Sequence, residues 1–463
     1  MSTRPNIAGR FNLLKRLLKP WRVSTLHISF LLLIISSCPA TATATCPDLS
    51  AYYPGSDPDW AELQQQLAAL MPVCLEDSEY FALYGAAQLN NSRLAGALEA
   101  LERALLLNPD SGAARIDYAQ ALFEEGQLFT ALEMNAQVLQ REDLPIGMQA
   151  ILQTRQTNWQ ARTRQTSFQA DVLAGYDDNL NGAPDPDHIT LTLSGDPILL
   201  PLSPDFQAVS GPYISGRLAA RHRQATAELQ HNWFADLRTR VSEHTASDIL
   251  QFSSRYNLLR PGRNQAWQGG VGISHINYGG GSLFTGTDAS ARYQLSSRFR
   301  CKPFYSLAVQ RQLFHQESQL NALESKAGAG LSCPMLGTQG SQVVGIELGL
   351  LRNNGLRSGR VGGDREGWQF NLDWQRGLFR GVFRAQLNYT QLNDRQGYSP
   401  LLSNGAERWL ERGFALLQYR EPLPLFGVNS SLLVNVYHQR QKSNIELFKT
   451  TDTTAEIGIS WGF

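Results

Sequence analysis

The last eleven residues, Thr453 to Phe463, set Ala455, Ile457, Ile459, Trp461 and Phe463 on one side of an extended chain, and Glu456, Gly458, Ser460 and Gly462 on the other. A strand with an apolar outer row, a small or polar inner row and an aromatic carboxy terminus is the pattern of a bacterial outer-membrane β-barrel. This segment sets the compartment and the fold expected for most of the chain, and Ile457, Ile459, Trp461 and Phe463 read as its barrel-assembly signal. No helical span is expected: the longest apolar run, Phe30–Ile35 with neighbours from Leu26, falls short of the ~18 residues a spanning helix needs.

That run reads instead as the core of a secretory signal. The first 45 residues carry Arg4, Arg10, Lys15, Arg16, Lys19 and Arg22 and no acid, and Ala40, Ala42 and Ala44 offer an A-x-A cleavage site, giving a signal peptide over 1–44. A competing site at Ile35-Ser-Ser-Cys38 loosely fits lipid attachment to cysteine. Either route removes Cys38 from the pool and leaves Cys46, Cys74, Cys301 and Cys333. Four cysteines in an exported chain suggest two disulfides with three possible connectivities, and proximity favours Cys46 with Cys74 and Cys301 with Cys333.

From Asp57 to about Arg164 the composition is helical, rich in Ala, Leu, Gln and Glu, and it repeats at 34 residues. Tyr84 recurs as Tyr118, Ala87 as Ala121, Ala97 as Ala131, Leu98 as Leu132 and Leu105 as Leu139. That period of paired helices is the tetratricopeptide repeat, in which Gly85 and Ala97 would let two helices touch. In the second unit Asn135 replaces a bulky residue, so the repeat is degenerate there. Stacked pairs expose a concave groove, here expected to include Glu79, Ala82, Ala86 and Leu89, then Ile116, Gln120 and Phe123, as a surface for a partner.

After Ser167 the helical period stops and alternating segments begin. Trp368, Phe370, Leu372 and Trp374 alternate with Gln369, Asn371, Asp373 and Gln375; Ala225, Ala227, Leu229, Trp233, Ala235 and Leu237 alternate with polar residues. About fourteen such segments start near residues 168, 213, 225, 248, 265, 284, 299, 322, 342, 367, 380, 409, 428 and 453. The expected fold is therefore α + β: tetratricopeptide-like helices over 45–166, then a transmembrane antiparallel barrel over 167–463. The links alternate between long and short as an outer-membrane barrel requires, with long ones at Asp178–Gly211, Asn353–Glu366 and Asn393–Glu407. A barrel of this strand number should enclose a lumen wide enough for an extended polymer. Inward candidates include Glu228, Asp236, Arg255, Asp373 and Arg384, which mix both signs.

Chemistry is sparse. The eight histidines are scattered, and G-x-S-x-G, H-E-x-x-H and C-x-x-C are missing from the sequence, so no enzyme is expected and no catalytic residue is assigned. Asp177-Asp-Asn-Leu-Asn-Gly182 resembles the opening of a calcium loop, but the twelfth position is His188; turn chemistry is the better account and no metal is expected. Gly279–Gly281 lacks the lysine of a phosphate loop, so no cofactor is expected and transport would draw its free energy from elsewhere. Balanced charge, 41 acidic and 41 basic residues, gives no reason to expect nucleic acid as a partner.

A signal peptide, a short tetratricopeptide segment and a barrel opening with Tyr176-Asp-Asp-Asn179-Leu-Asn181-Gly-Ala-Pro184 together resemble the surface lipoprotein assembly modulator (Slam) family. The resemblance covers nearly the whole mature chain. It implies an outer-membrane protein with periplasmic helices, exporting a client lipoprotein or a soluble haem- or metal-scavenging protein. The partners it implies are the client, outer-membrane lipid, the barrel assembly machinery and periplasmic chaperones. Polysaccharide export is the second reading and a passive solute channel the third. Replacing Trp461 with Asp, or removing Phe463, should abolish heat-modifiable migration in most of the protein; normal migration of either variant would remove these residues from an assembly role.

Overall fold

The computed structural model describes residues 45–53, 58–262, 265–297, 300–337, 340–424 and 429–463. The expected signal peptide, with Cys38, lies outside the described residues.

Six helices come first: α1 (Trp60–Leu70), α2 (Ser78–Asn90), α3 (Leu94–Leu107), α4 (Gly112–Glu124), α5 (Leu128–Leu139) and α6 (Ile146–Ala161). Side-chain oxygens of Asp59, Asp77 and Ser111 accept the free backbone N–H groups at the starts of α1, α2 and α4. The pair α2–α3 recurs as α4–α5 at a spacing of 34 residues. A Cβ on Gly85 would stand 2.5 Å from Leu101 Cγ, so the contact between α2 and α3 needs glycine there. Ala97 and Ala131 are fully buried at the corresponding small positions. The Cys46–Cys74 disulfide ties the segment before α1 to the turn after it.

Asn135, which breaks the repeat pattern, has a structural use. It is fully buried; Nδ2 donates to Leu152 O (3.1 Å) and Gln156 Oε1 (2.7 Å), and Oδ1 accepts from Arg155 Nε (2.8 Å). The bulky residue of the motif is exchanged for a polar pin joining α5 to α6.

Only Arg162 and Thr163 separate α6 from the first strand. The strands are β1 (Arg164–Asp177), β2 (His188–Leu193), β3 (Asp196–Pro201), β4 (Gly211–Ala225), β5 (Gln230–Ser242), β6 (Ile249–Arg260), β7 (Gln265–Tyr278), β8 (Gly281–Leu295), β9 (Lys302–Phe314), β10 (Ala322–Gly337), β11 (Gly340–Gly355), β12 (Arg365–Leu378), β13 (Gly381–Ser399), β14 (Leu402–Pro422), β15 (Ser430–Ser443) and β16 (Thr450–Gly462). Apart from the β2–β3 hairpin, each pairs antiparallel with its neighbours, and β1 pairs with β16 from Gln169↔Gly462 to Asp177↔Thr454. Phe168 and Phe463 exchange both backbone hydrogen bonds (3.0 and 2.9 Å) at the end of that seam. The result is a closed barrel of fourteen strands. Val172, Ile214, Leu218, Leu307 and Leu350 stand exposed on its outer face, as lipid contact requires. Among the described residues no helix is long and apolar enough to cross a membrane.

An even strand number brings the start of β1 and the end of β16 to one end, here called near because the helices precede it; the opposite end is far. The Cys301–Cys333 disulfide staples β9 to β10 at the near end. Two expectations need correction, and one long link contains a hairpin. Residues 226–229 form a near-end turn, so Ala227 and Leu229 are no part of the lipid-facing row, and Glu228 is exposed 4.0 Å from Arg260 instead of facing the lumen. The Asn393–Glu407 stretch is no open loop: β13 and β14 continue past the wall as a bulged hairpin, with pairs Gly397↔Glu407 and Ser399↔Leu402. Inside Asp178–Gly211 lies the β2–β3 hairpin, turned by Ser194 and Gly195 at positive φ (55° and 95°).

Asp117 on α4 is half-buried, and burial pushes its carboxyl up to about 6 while the nearby Arg155 charge opposes the shift. A carboxyl raised on folding lowers stability as pH climbs from the ordinary carboxylate range through about 6, and the full cost is present above that. Asp117→Asn should therefore stabilise the helices at pH 7.5, by up to about 2 kcal/mol, and change little at pH 4. Thermal unfolding of the full chain in detergent, followed by circular dichroism at 222 nm, checks this; equal shifts at both pH values would contradict it.

Candidate functional site

Period-two alternation decides which side chains reach the lumen. Arg217, Arg221 and Arg223 on β4, and Arg238 and Arg240 on β5, are separated by even numbers of residues, so each set lies on one face. The structure turns both sets inward. With Gln169 and Asp171 of β1, Arg384 and Gln386 of β13, Phe414 and Gln418 of β14, Asn435 and Tyr437 of β15 and Glu456 of β16, all of them but Arg223 line a cavity of about 740 Å³ within the barrel.

The middle of this wall is a charge lattice. Asp236, almost completely buried, accepts from Arg217 Nε (2.5 Å) and Arg238 Nε (2.6 Å), and Asp171 lies 3.6 Å from Arg217 Nη1. Across the seam, Glu456 accepts from Tyr213 Oη (2.8 Å), Ser215 Oγ (3.1 Å) and Asn435 Nδ2 (3.0 Å). On the opposite wall Asp373 takes Arg384 Nη2 (2.6 Å) and Gln386 Nε2 (2.8 Å). The buried carboxylates Asp171 and Asp236 are tolerable there only because they are so satisfied. Of the expected inward charges, Asp236, Arg255, Asp373 and Arg384 are in the lumen wall.

At the far end, Asp177-Asp-Asn-Leu-Asn-Gly182 is spent on turn chemistry. Asp177 accepts from Arg240 Nη1 (2.7 Å) and Asn179 N (2.8 Å), Asp178 from Thr453 N (2.7 Å), and Asn179 bonds Ala183 and the Thr451 carbonyl. Asp177, Asp178 and Asp452 bring carboxylate oxygens within 4.8 Å of one another, but the first two already hold these donors. Beyond them, buried Asp394 joins Arg365 Nε (3.1 Å) to Arg408 Nε (3.1 Å), and Arg408 lies over the rings of Tyr398 and Phe448. These contacts pin three far-end connections to one another. The strand histidines His231, His275 and His438 stand on outward rows; His231 stacks on Trp233 and bonds Tyr256 Oη (2.8 Å).

On the helices, the seven groove positions divide. Glu79 is exposed, and Ala86, Ile116, Gln120 and Phe123 are half-buried. Ala82 and Leu89 are buried in one apolar cluster with Leu49 and Leu67, because α1 and the turn before it cover that face of α2. Ile116 O receives Arg155 Nη1 (3.3 Å), and Phe123 stacks on Trp159 at 4.5 Å, so α6 covers the equivalent face of α4. An open concavity lies elsewhere: a cavity of about 570 Å³ lined by Phe81, Tyr84, Gln88, Gly96, Glu99 and Arg103 of α2 and α3. The sequence carried a signal for the lumen arginines in their even spacing, and none that α1 would cover Ala82.

Residues 89–152 match the family model "Tetratricopeptide repeat". No curated protein matches the sequence. Among solved structures, the chain is similar to an anion-selective porin from Comamonas acidovorans (9% identity, 65% of this chain and 99% of that one, TM-score 0.35). It is also similar to a bacterial polysaccharide outer membrane secretin (10%, 64% and 97%, TM-score 0.32) and to a Pseudomonas aeruginosa FadL homologue (12%, 65% and 89%, TM-score 0.31).

Proposed function

We propose that this chain is an outer-membrane export channel whose helices, in the periplasm, receive a client polypeptide and whose barrel gives it passage to the cell surface. The observation that carries the reading is the junction: two residues join a helical-repeat segment to the first strand of a closed barrel with a polar lumen. Stacked helical repeats offer protein-binding surfaces, and the α2–α3 cavity supplies one. Two disulfides suit an oxidising compartment, and a signal peptide over 1–44 would deliver the chain there. The resemblance to the Slam family supplies the client class, a surface lipoprotein or a secreted soluble protein. On this reading Ile457, Ile459, Trp461 and Phe463 direct barrel assembly, the chain acts as a conduit and not as an enzyme, and no cofactor takes part.

Exopolysaccharide export is kept as a second reading because the arginine rows of β4 and β5 line the lumen. Protease shaving and mass spectrometry of cells with and without the gene separate the two. Loss of one specific protein from the surface, with retention in the periplasm, is the expected result. Unchanged surface proteins with reduced surface polysaccharide would overturn protein export.

A further inference from the structure

The near end of the lumen differs in charge from its middle. Arg221, Arg223 and Arg420 lie there on inward rows, and among the described residues none has a carboxylate within ion-pair distance. Arg221 lies over the Phe234 ring at 5.4 Å, a contact that positions the guanidinium without neutralising it. Two cavities open on these arginines, one of about 500 Å³ shared by Arg221 and Arg223 and one of about 320 Å³ shared by Arg221 and Arg420. Among the described residues no acidic side chain lines either cavity. The lumen carboxylates Asp171, Asp236 and Glu456 begin only deeper in the wall, where they are matched by donors.

We propose that this near-end vestibule captures an acidic segment of the passenger polypeptide as it reaches the barrel. The proposal rests on the export reading and names what the passenger presents. Unpaired guanidinium groups beside low-dielectric walls focus potential and hold carboxylates bidentately. The wall beyond them favours a polypeptide over a uniformly charged polyuronate: its guanidinium groups are already held by Asp171, Asp236 and Asp373, so a carboxylate on every unit would find no free cation there, whereas a peptide with one acidic stretch passes that region with other side chains.

The test uses the purified full chain in detergent with fluorescein-labelled deca-glutamate, deca-lysine and an oligouronate of equal length. The wild type should bind deca-glutamate with an affinity that falls steeply with salt, and should not bind deca-lysine. Arg221→Gln, Arg223→Gln and Arg420→Gln together should weaken binding at least about tenfold, while the three Lys replacements, which keep the charge and lose the bidentate fork, should weaken it less than the Gln set. Heat-modifiable migration verifies that each variant is folded, and Arg420→Gln alone, expected to give a smaller loss, serves if the triple variant does not fold. Absence of deca-glutamate binding, or equal binding by the Gln variants, would overturn the proposal, and tighter binding of the oligouronate would overturn the choice of a polypeptide. In cells, loss of client display on gene deletion with normal display by the triple Gln variant would sink the vestibule and leave export standing. Unchanged display on deletion would sink the export reading and the vestibule with it.

Discussion

In lipid no backbone N–H or C=O can be left without a partner, and the pairing of β16 with β1 meets that condition for the whole wall. Everything else follows from closure. An even number of antiparallel strands puts the start of β1 and the end of β16 at the same end, so the helices that precede β1 connect where the chain also finishes. Closure also fixes which row of each strand sees lipid and which sees the lumen, because a one-residue slip at the seam would turn Glu456 outward and Ile457 inward.

The lumen wall then poses an electrostatic problem that is solved locally. Asp236 is held between Arg217 and Arg238, Asp373 by Arg384, and Glu456 by three neutral donors. Each carboxylate has its donors on the same or a nearby strand, so the middle of the lumen is polar without a strong sign. The near-end arginines lack that compensation, which gives the lumen a direction along its axis.

Much of the fold was legible because two solvents enforce the strand pattern: lipid demands Trp368, Phe370 and Leu372 on one row, and the lumen accepts Gln369, Asn371 and Asp373 on the other. The misses are places where that rule does not act. Beyond the membrane β13 and β14 continue as a hairpin whose residues alternate against nothing, and Ser194-Gly195 turns a hairpin within a stretch expected only as a long link. Among the helices, the 34-residue period was visible, and Gly85 behaves as the motif requires. Which face stays open depends on α1 and α6, helices outside the two repeat units, so the groove positions Ala82 and Leu89 are covered and the 34-residue period carries no sign of the α2–α3 concavity. Asn135 read as decay of the motif because its partners, Leu152, Arg155 and Gln156, lie on the next helix.

The central claim is that a polypeptide moves through the lumen, and site-specific photo-crosslinking tests it most directly. A photoreactive phenylalanine would replace Phe414, which lines the lumen cavity, and in a separate strain Leu417, which is exposed on the outer face. Irradiation of growing cells should join position 414 to one envelope protein, the client, and leave position 417 without that adduct. An adduct of equal strength at both positions, or none at 414 while the client reaches the surface, would contradict passage through this barrel.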